Sequence, residues 1–134
     1  MAKESGFDAI ELQGKAENDI MIFIDGVNHK VEIFEAPLEP LDSHELAEVL
    51  TDMYAVDDKD KKNIAVVSTG AAAGNSLIGM LNFSFYDPKR KKVRLKQAGR
   101  GGIGTVFRDK KIKAIVCRIP GVKGNLNDVK DLQA

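Results

Sequence analysis

Apolar and polar positions along this chain change period several times, and each change predicts an element. Asp19 to Ile24 and Val31 to Phe34 are rich in Ile and Phe, and Asp25-Gly26-Val27-Asn28 between them carries an Asp-Gly turn signal. That combination predicts a β-hairpin. Phe7 to Leu12 alternates loosely as far as Gly14 and predicts a short strand ahead of it. Pro37 and Pro40 punctuate a connector. Asp42 followed by Glu45 is a helix-capping pattern. Leu46, Val49, Leu50, Met53 and Tyr54 then recur at i, i+3, i+4, i+7 and i+8, one face of a helix. The charged run Asp57 to Lys62 reads as a solvated loop.

Ile64-Ala65-Val66-Val67 is a short apolar run bounded by turn residues, as in a buried strand. Gly70 to Asn75 is a loop of small residues. Leu77 to Tyr86 is apolar without a deciding period, so strand and helix both stay open there. Asp87-Pro88 marks a turn, Lys89 to Lys96 is basic, and Gly99 to Gly104 is glycine-rich. Thr105 to Lys111 suits a short helix, and Ile112 to Ile119 a strand ended by Pro120. The order β-ββ-α-β-(β/α)-α-β predicts an α+β single domain: a mixed sheet with a β-hairpin and one or two packing helices. Its expected extent is residues 1–120, with 121–134 a polar tail or linker.

Composition narrows the class. The 134 residues are one domain's length, enough to bury about two thirds of the unfolded surface without disulfides. The sole cysteine, Cys117, excludes an intrachain disulfide and is expected to pack as a small buried hydrophobe. The longest apolar stretch falls far short of the ~20 residues of a membrane-spanning helix, and the N-terminus has no apolar signal core. No membrane association and a cytoplasmic setting are the expectations. The zero net charge conceals a split. Residues 1–60 hold 16 Asp and Glu against four Lys, a balance of −12. Residues 61–134 hold 16 Lys and Arg against four Asp, a balance of +12. The basic half therefore faces an anionic partner or the chain's own acidic half.

Candidate chemistry gathers near residue 100. Gly99-Arg100-Gly101-Gly102-Ile103-Gly104 has the G-x-G-x-x-G spacing. A dinucleotide site is disfavoured: the preceding segment is basic, the following element is too short for a crossover, and no acid follows at ~20 residues. Two readings of the loop stay open. One is a tight turn packed on its neighbours. The other is close backbone approach to an anion, helped by N–H groups if Thr105 opens a helix. Lys89, Arg90, Lys91, Lys92, Arg94, Lys96 and Arg100 form a basic cluster without aromatic residues between them. Such a cluster suits phosphates or a solvated face, and nucleic acid is disfavoured. His29 and His44 lack ligand spacing and no metal site is expected. Ser68-Thr69-Gly70 follows a strand but has no evident base, so no catalytic residue is assigned.

Two stretches resemble one family. Ala98 to Gly104, then Val106, Lys110 and Lys113-Ala114-Ile115-Val116, resemble the A-G-R-G-G-hydrophobic-G-A-V run leading into L-K-A-I in tungsten-containing aldehyde:ferredoxin oxidoreductases. Gly6-Phe7-Asp8-Ala9-Ile10 with Gly14-Lys15-Ala16 resembles the same family's G-[YF]-D-A-I and G-K-A. The resemblance covers roughly residues 5–118 and points to the second half of the N-terminal domain, the base on which a bis-pterin tungsten (or molybdenum) cofactor lies. It implies Lys96, Gln97, Gly99, Arg100 and Gly101 as cofactor-binding. Lys96 and Gln97 stand where the family often has an Arg and a small residue, and Gly70 to Asn75 lacks the Glu of its G-x-A-G-E-N loop. One cysteine cannot hold an iron–sulfur cluster. The implied role is thus a portion or split subunit of such an oxidoreductase, forming one wall of the metallopterin site. Its expected partners are the remaining domains or subunit, with ferredoxin as electron partner. The alternative is a stand-alone binding or regulatory domain that keeps the fold without the cofactor.

Overall fold

The computed structural model describes residues 3–39 and 42–121. The tail expected over 121–134 lies outside the described residues beyond Gly121. Strands β1 (Ile20–Asp25), β2 (Lys30–Glu35), β3 (Ile64–Ser68), β4 (Leu81–Asp87), β5 (Lys92–Ala98) and β6 (Ile112–Arg118) form one sheet. Their order is β2-β1-β6-β3-β4-β5. β1 and β6 run parallel and the other neighbours antiparallel. With helices α1 (Ser43–Tyr54) and α2 (Ile103–Asp109) this is the expected α+β domain on a mixed sheet. The last strand inserts at the centre, which is why Ile112 to Arg118 is apolar on both faces.

The hairpin forms as expected, but its glycine serves a different purpose. The Asp25 carboxylate accepts hydrogen bonds from the backbone N–H of Val27 (2.9 Å) and the side-chain amide of Asn28 (2.6 Å), fixing the turn. His29, not Gly26, takes the positive φ, +53°. Gly26 is needed because a Cβ there would fall 2.5 Å from Ser5 Cα and 2.9 Å from the Arg118 carbonyl oxygen.

One sheet face is covered by α1. Leu46, Ala47 and Leu50 pack on Met21, Phe23, Ile64, Val66, Ala114 and Val116, and Tyr54 stacks on Phe23 with ring centroids 4.2 Å apart. Asp42 caps the helix, accepting from the N–H groups of His44 (2.7 Å) and Glu45 (3.3 Å). The buried stripe is rotated from the one the spacing predicts. Ala47 and Thr51 are buried, whereas Val49 is 43% and Met53 57% exposed. A helix lying flat on a sheet presents i, i+1, i+4 and i+5, and the small Ala47 lets the backbone approach.

The opposite face is covered over β1 and β6 by the N-terminal segment, where Phe7 and Leu12 pack against Ile22, Ile24 and Cys117. Here the predicted strand over Phe7 to Leu12 is corrected: the segment is irregular. Both ladder positions beside β1 are taken, by β2 and β6, so the segment crosses the sheet as a cover. Cys117 is buried as expected, and burial pushes its thiol up from the ordinary range. The undecided stretch Leu77 to Tyr86 resolves into an irregular segment, 77–80, followed by β4.

Candidate functional site at the glycine loop

The glycines after β5 exist chiefly for contact within the chain. A Cβ on Gly99 would lie 2.7 Å from Met80 Sδ, one on Gly102 2.3 Å from the Leu77 carbonyl oxygen, and one on Gly104 2.4 Å from that of Met80. The loop therefore lies backbone to backbone against residues 77–80. Gly104 N–H donates to the Gly79 carbonyl at 2.9 Å, and Gly79 N–H donates to Thr105 Oγ1 at 3.0 Å. Thr105 Oγ1 in turn donates to the Ser76 carbonyl at 2.5 Å. Gly101 differs: its φ is +83° and no atom lies within 4 Å of a Cβ placed there. That position is shaped by conformation and open to whatever approaches.

The helix after the loop starts earlier than the sequence predicts. α2 begins at Ile103 with Gly102 as N-cap in the left-handed region, φ +69°. Thr105 lies inside it and uses its hydroxyl to tie down 76–79. The N–H groups of Gly104 and Thr105 are satisfied by the carbonyls of Gly79 and Gly102. The expected array of N–H groups awaiting an anion is thus corrected at these two positions. The dinucleotide reading finds no support in the topology either, because β5 is an edge strand and β6 lies elsewhere in the sheet.

The structure keeps Gly99, Arg100 and Gly101 together but divides the two residues before them. Lys96 pairs in register with Phe83 and Gln97 with Asn82, so their side chains leave opposite faces of β5. On the Lys96 face the Arg94 guanidinium sits 5.9 Å from the Phe85 ring centre. On the Gln97 face Asn82 donates through its side-chain amide to Ser43 Oγ at 3.2 Å. Asn82 and Ser43 also line an open groove of about 570 Å³ between the start of α1 and residues 70–80, with Asp42, Ala73 and Met80. Sequence reasoning flagged the small residues at 70–75 but not Ser43, Met80 or Asn82. No local signal joins these positions, which come together through the sheet.

Charge is partly settled inside the chain. Arg108 bonds Asp19 at 2.7 Å, Lys15 bonds Asp109 at 2.9 Å and Arg118 bonds Asp60 at 3.2 Å, each joining the acidic half to the basic one. Burial opposes ionisation of Asp60, yet hydrogen bonds from Asn63 and the Val56 N–H, with the Arg118 charge, hold its carboxyl below the ordinary range. Lys113 is buried and donates to the Pro37 and Leu38 carbonyls; burial lowers its pKa against the pull of Asp19 and Glu39. Lys96 and Arg100, by contrast, are exposed and form no ion pair among the described residues.

These groups suit one kind of guest. Among the described residues no three His, Cys, Asp or Glu side chains are grouped to hold a metal ion. Ser68 Oγ and Thr69 Oγ1 are buried without a hydrogen-bond partner among the described residues, and Thr69 lines a small pocket with Asp19, Arg108 and Lys113. What the loop offers is a guanidinium, an ammonium on the strand before it and an open glycine. That set can bind an anionic group.

The family model described as "Aldehyde ferredoxin oxidoreductase, N-terminal domain" matches residues 1–119. The chain is similar to a protein of Pyrococcus horikoshii named "Tungsten-containing aldehyde ferredoxin oxidoreductase", with 30% identity over 118 residues. The match takes in 87% of this chain and 17% of that relative's length. No helix among the described residues is long and apolar enough to cross a membrane. On the family match over nearly its whole described length, the chain belongs to the aldehyde ferredoxin oxidoreductase N-terminal domain family.

Proposed function

We propose that residues 1–120 form one wall of a metallopterin site in an aldehyde ferredoxin oxidoreductase-like enzyme, with Lys96, Gln97, Gly99, Arg100 and Gly101 nearest the cofactor. The observation that carries this reading is a pair of exposed cations, Lys96 and Arg100, without an ion pair among the described residues and leading into an open, positive-φ glycine, Gly101. A bis-pterin tungsten or molybdenum cofactor, when bound, supplies the two-electron oxidation of an aldehyde or related substrate. The chain's own residues bind and orient. Arg100 donates charge-assisted hydrogen bonds to anionic groups of the cofactor, and Lys96 adds a point charge. Gly101 leaves room for close approach. Gln97 reaches the site from the other face of β5, beside Asn82. Further domains or a second subunit complete the site and carry the iron–sulfur chemistry, with ferredoxin as the electron partner.

Metal analysis of the complex isolated from cells that naturally make the chain is expected to find tungsten or molybdenum. Neither metal in an intact complex refutes the reading. Arg100→Ala is expected to weaken cofactor retention or assembly by about 1.5–3 kcal/mol. An Arg100→Ala complex that keeps its cofactor like the parent refutes the role given to that side chain. The divergence of Lys96 and Gln97 across β5 favours a second reading, a binding or regulatory domain that retains the fold without the cofactor.

A further inference from the structure

The segments that interlock at the glycine loop leave their largest apolar side chains bare. Leu77 is 89% exposed, Ile78 78%, Met80 50%, Ile103 45% and Val106 50%. Residues 76–80 and 102–105 are tied by backbone and Thr105 hydrogen bonds, so the five side chains stand on one continuous support. Ile103 and Val106, three apart on α2, share its outer side, while Gly104 and Phe107 are buried on the inner one. Met80 packs its thioether against Gly99, and Leu77, Ile78, Ile103 and Val106 are left as the open part of this apolar shelf. Other exposed apolar side chains, such as Leu38 and Val56, lie elsewhere in the chain, whereas a cluster of them on one support marks an interaction surface.

The margin of the shelf identifies its occupant. Arg100 lies within the loop and Lys96 on the strand that feeds it, both without an ion pair among the described residues. Two copies meeting through their shelves would oppose these cations. The shelf residues include no aromatic ring on which a base could stack. The matched relative carries the same region within a polypeptide of which the chain spans only 17%. We infer that the shelf seats the part of the family's enzyme that lies beyond this domain, through a surface of apolar side chains edged by carboxylates. This inference rests on the proposed function and names its docking surface.

The test places a photocrosslinking benzoylphenylalanine at Ile78, with Lys59 as a remote exposed control, in the full chain expressed in its native cells. Mass spectrometry of the Ile78 product is expected to identify a polypeptide carrying family sequence beyond the N-terminal domain, with none from Lys59. Crosslinks to a second copy, to nucleic acid or to an unrelated protein overturn the inference, as does no crosslink at all. With that partner purified, Ile78→Asp is expected to weaken binding at least tenfold while the chain's melting temperature stays unchanged. Arg100→Glu is expected to slow association and flatten its dependence on salt. A complex that forms through the shelf but holds neither tungsten nor molybdenum refutes the cofactor reading alone. A metal-loaded complex that Ile78→Asp leaves intact refutes the docking surface alone.

Discussion

Two close-packed regions of this domain, the core under α1 and the glycine loop, are built on opposite plans. Under α1, side chains do the packing: Leu46, Leu50, Ile64, Val66 and Val116 are each at most 1% exposed and fill the space between helix and sheet. At the glycine loop, main chain packs on main chain, Gly102 and Gly104 against Leu77 to Met80, Gly99 takes the Met80 side chain, and Leu77, Ile78, Ile103 and Val106 turn outward. The first region spends its apolar surface on folding. The second is folded by hydrogen bonds and the lack of side chains, which leaves its apolar surface for something else.

The largest expected effect lies in the first region. Leu50→Ala removes a fully buried side chain and should cost about 2–5 kcal/mol, read as a fall in urea midpoint. Leu77→Ala removes an equally large side chain from an 89% exposed site and should stay within about 0.5 kcal/mol. Equal losses would mean that the shelf holds the fold together, and the contrast would fail.

Next come the glycines that make backbone contact possible. Gly102→Ala would bring a Cβ to 2.3 Å from a carbonyl oxygen in a residue already at φ +69°. Overpacking and strain together should cost about 1–3 kcal/mol or more. Gly101→Ala has open space and only the backbone penalty, about 1–2 kcal/mol. If the two variants unfold at the same urea concentration, contact with 77–80 does not matter.

A smaller effect follows from acid. The folded-state pKa values of Asp25 and Asp60 are lowered by hydrogen bonds and the Arg118 charge, in each case against the opposing effect of burial. A carboxylate with a depressed folded pKa stabilises fully above its ordinary pKa, ~3.9, and loses that contribution as pH falls through the folded value. Stability should therefore drop below about pH 4. Asp60→Asn should flatten that limb in thermal melts at successive pH values. The smallest effect is expected for Arg100→Ala in the isolated chain: an unchanged melting temperature, because the side chain is exposed and has no ion pair among the described residues. A clear loss there would place Arg100 in the fold rather than at a surface for binding.

Short-range chemistry was readable from residues alone. The hairpin followed from two β-rich runs around Asp25-Gly26, the helix from Asp42 and its apolar spacing, and β3 and β6 from their short buried runs, because each signal lies within a few residues of the element it specifies. The same signals determined the α+β class and the family resemblance. What they could not determine was which atoms meet across the chain. Phe7 to Leu12 has the pattern of a strand, but β2 and β6 already occupy both sides of β1. Val49 and Met53 have the period of a buried face, but the flat sheet selected Ala47 and Thr51. Lys96 and Gln97 are adjacent in sequence, and the pleat sends them to opposite faces. The glycines of the loop suited a packed turn and the approach of a ligand alike, and only the path of residues 77–80 showed most of them already in contact. Local periodicity records what a segment can do, whereas neighbours, registers and close approaches are set by long-range packing, and these decided where this domain keeps an open surface.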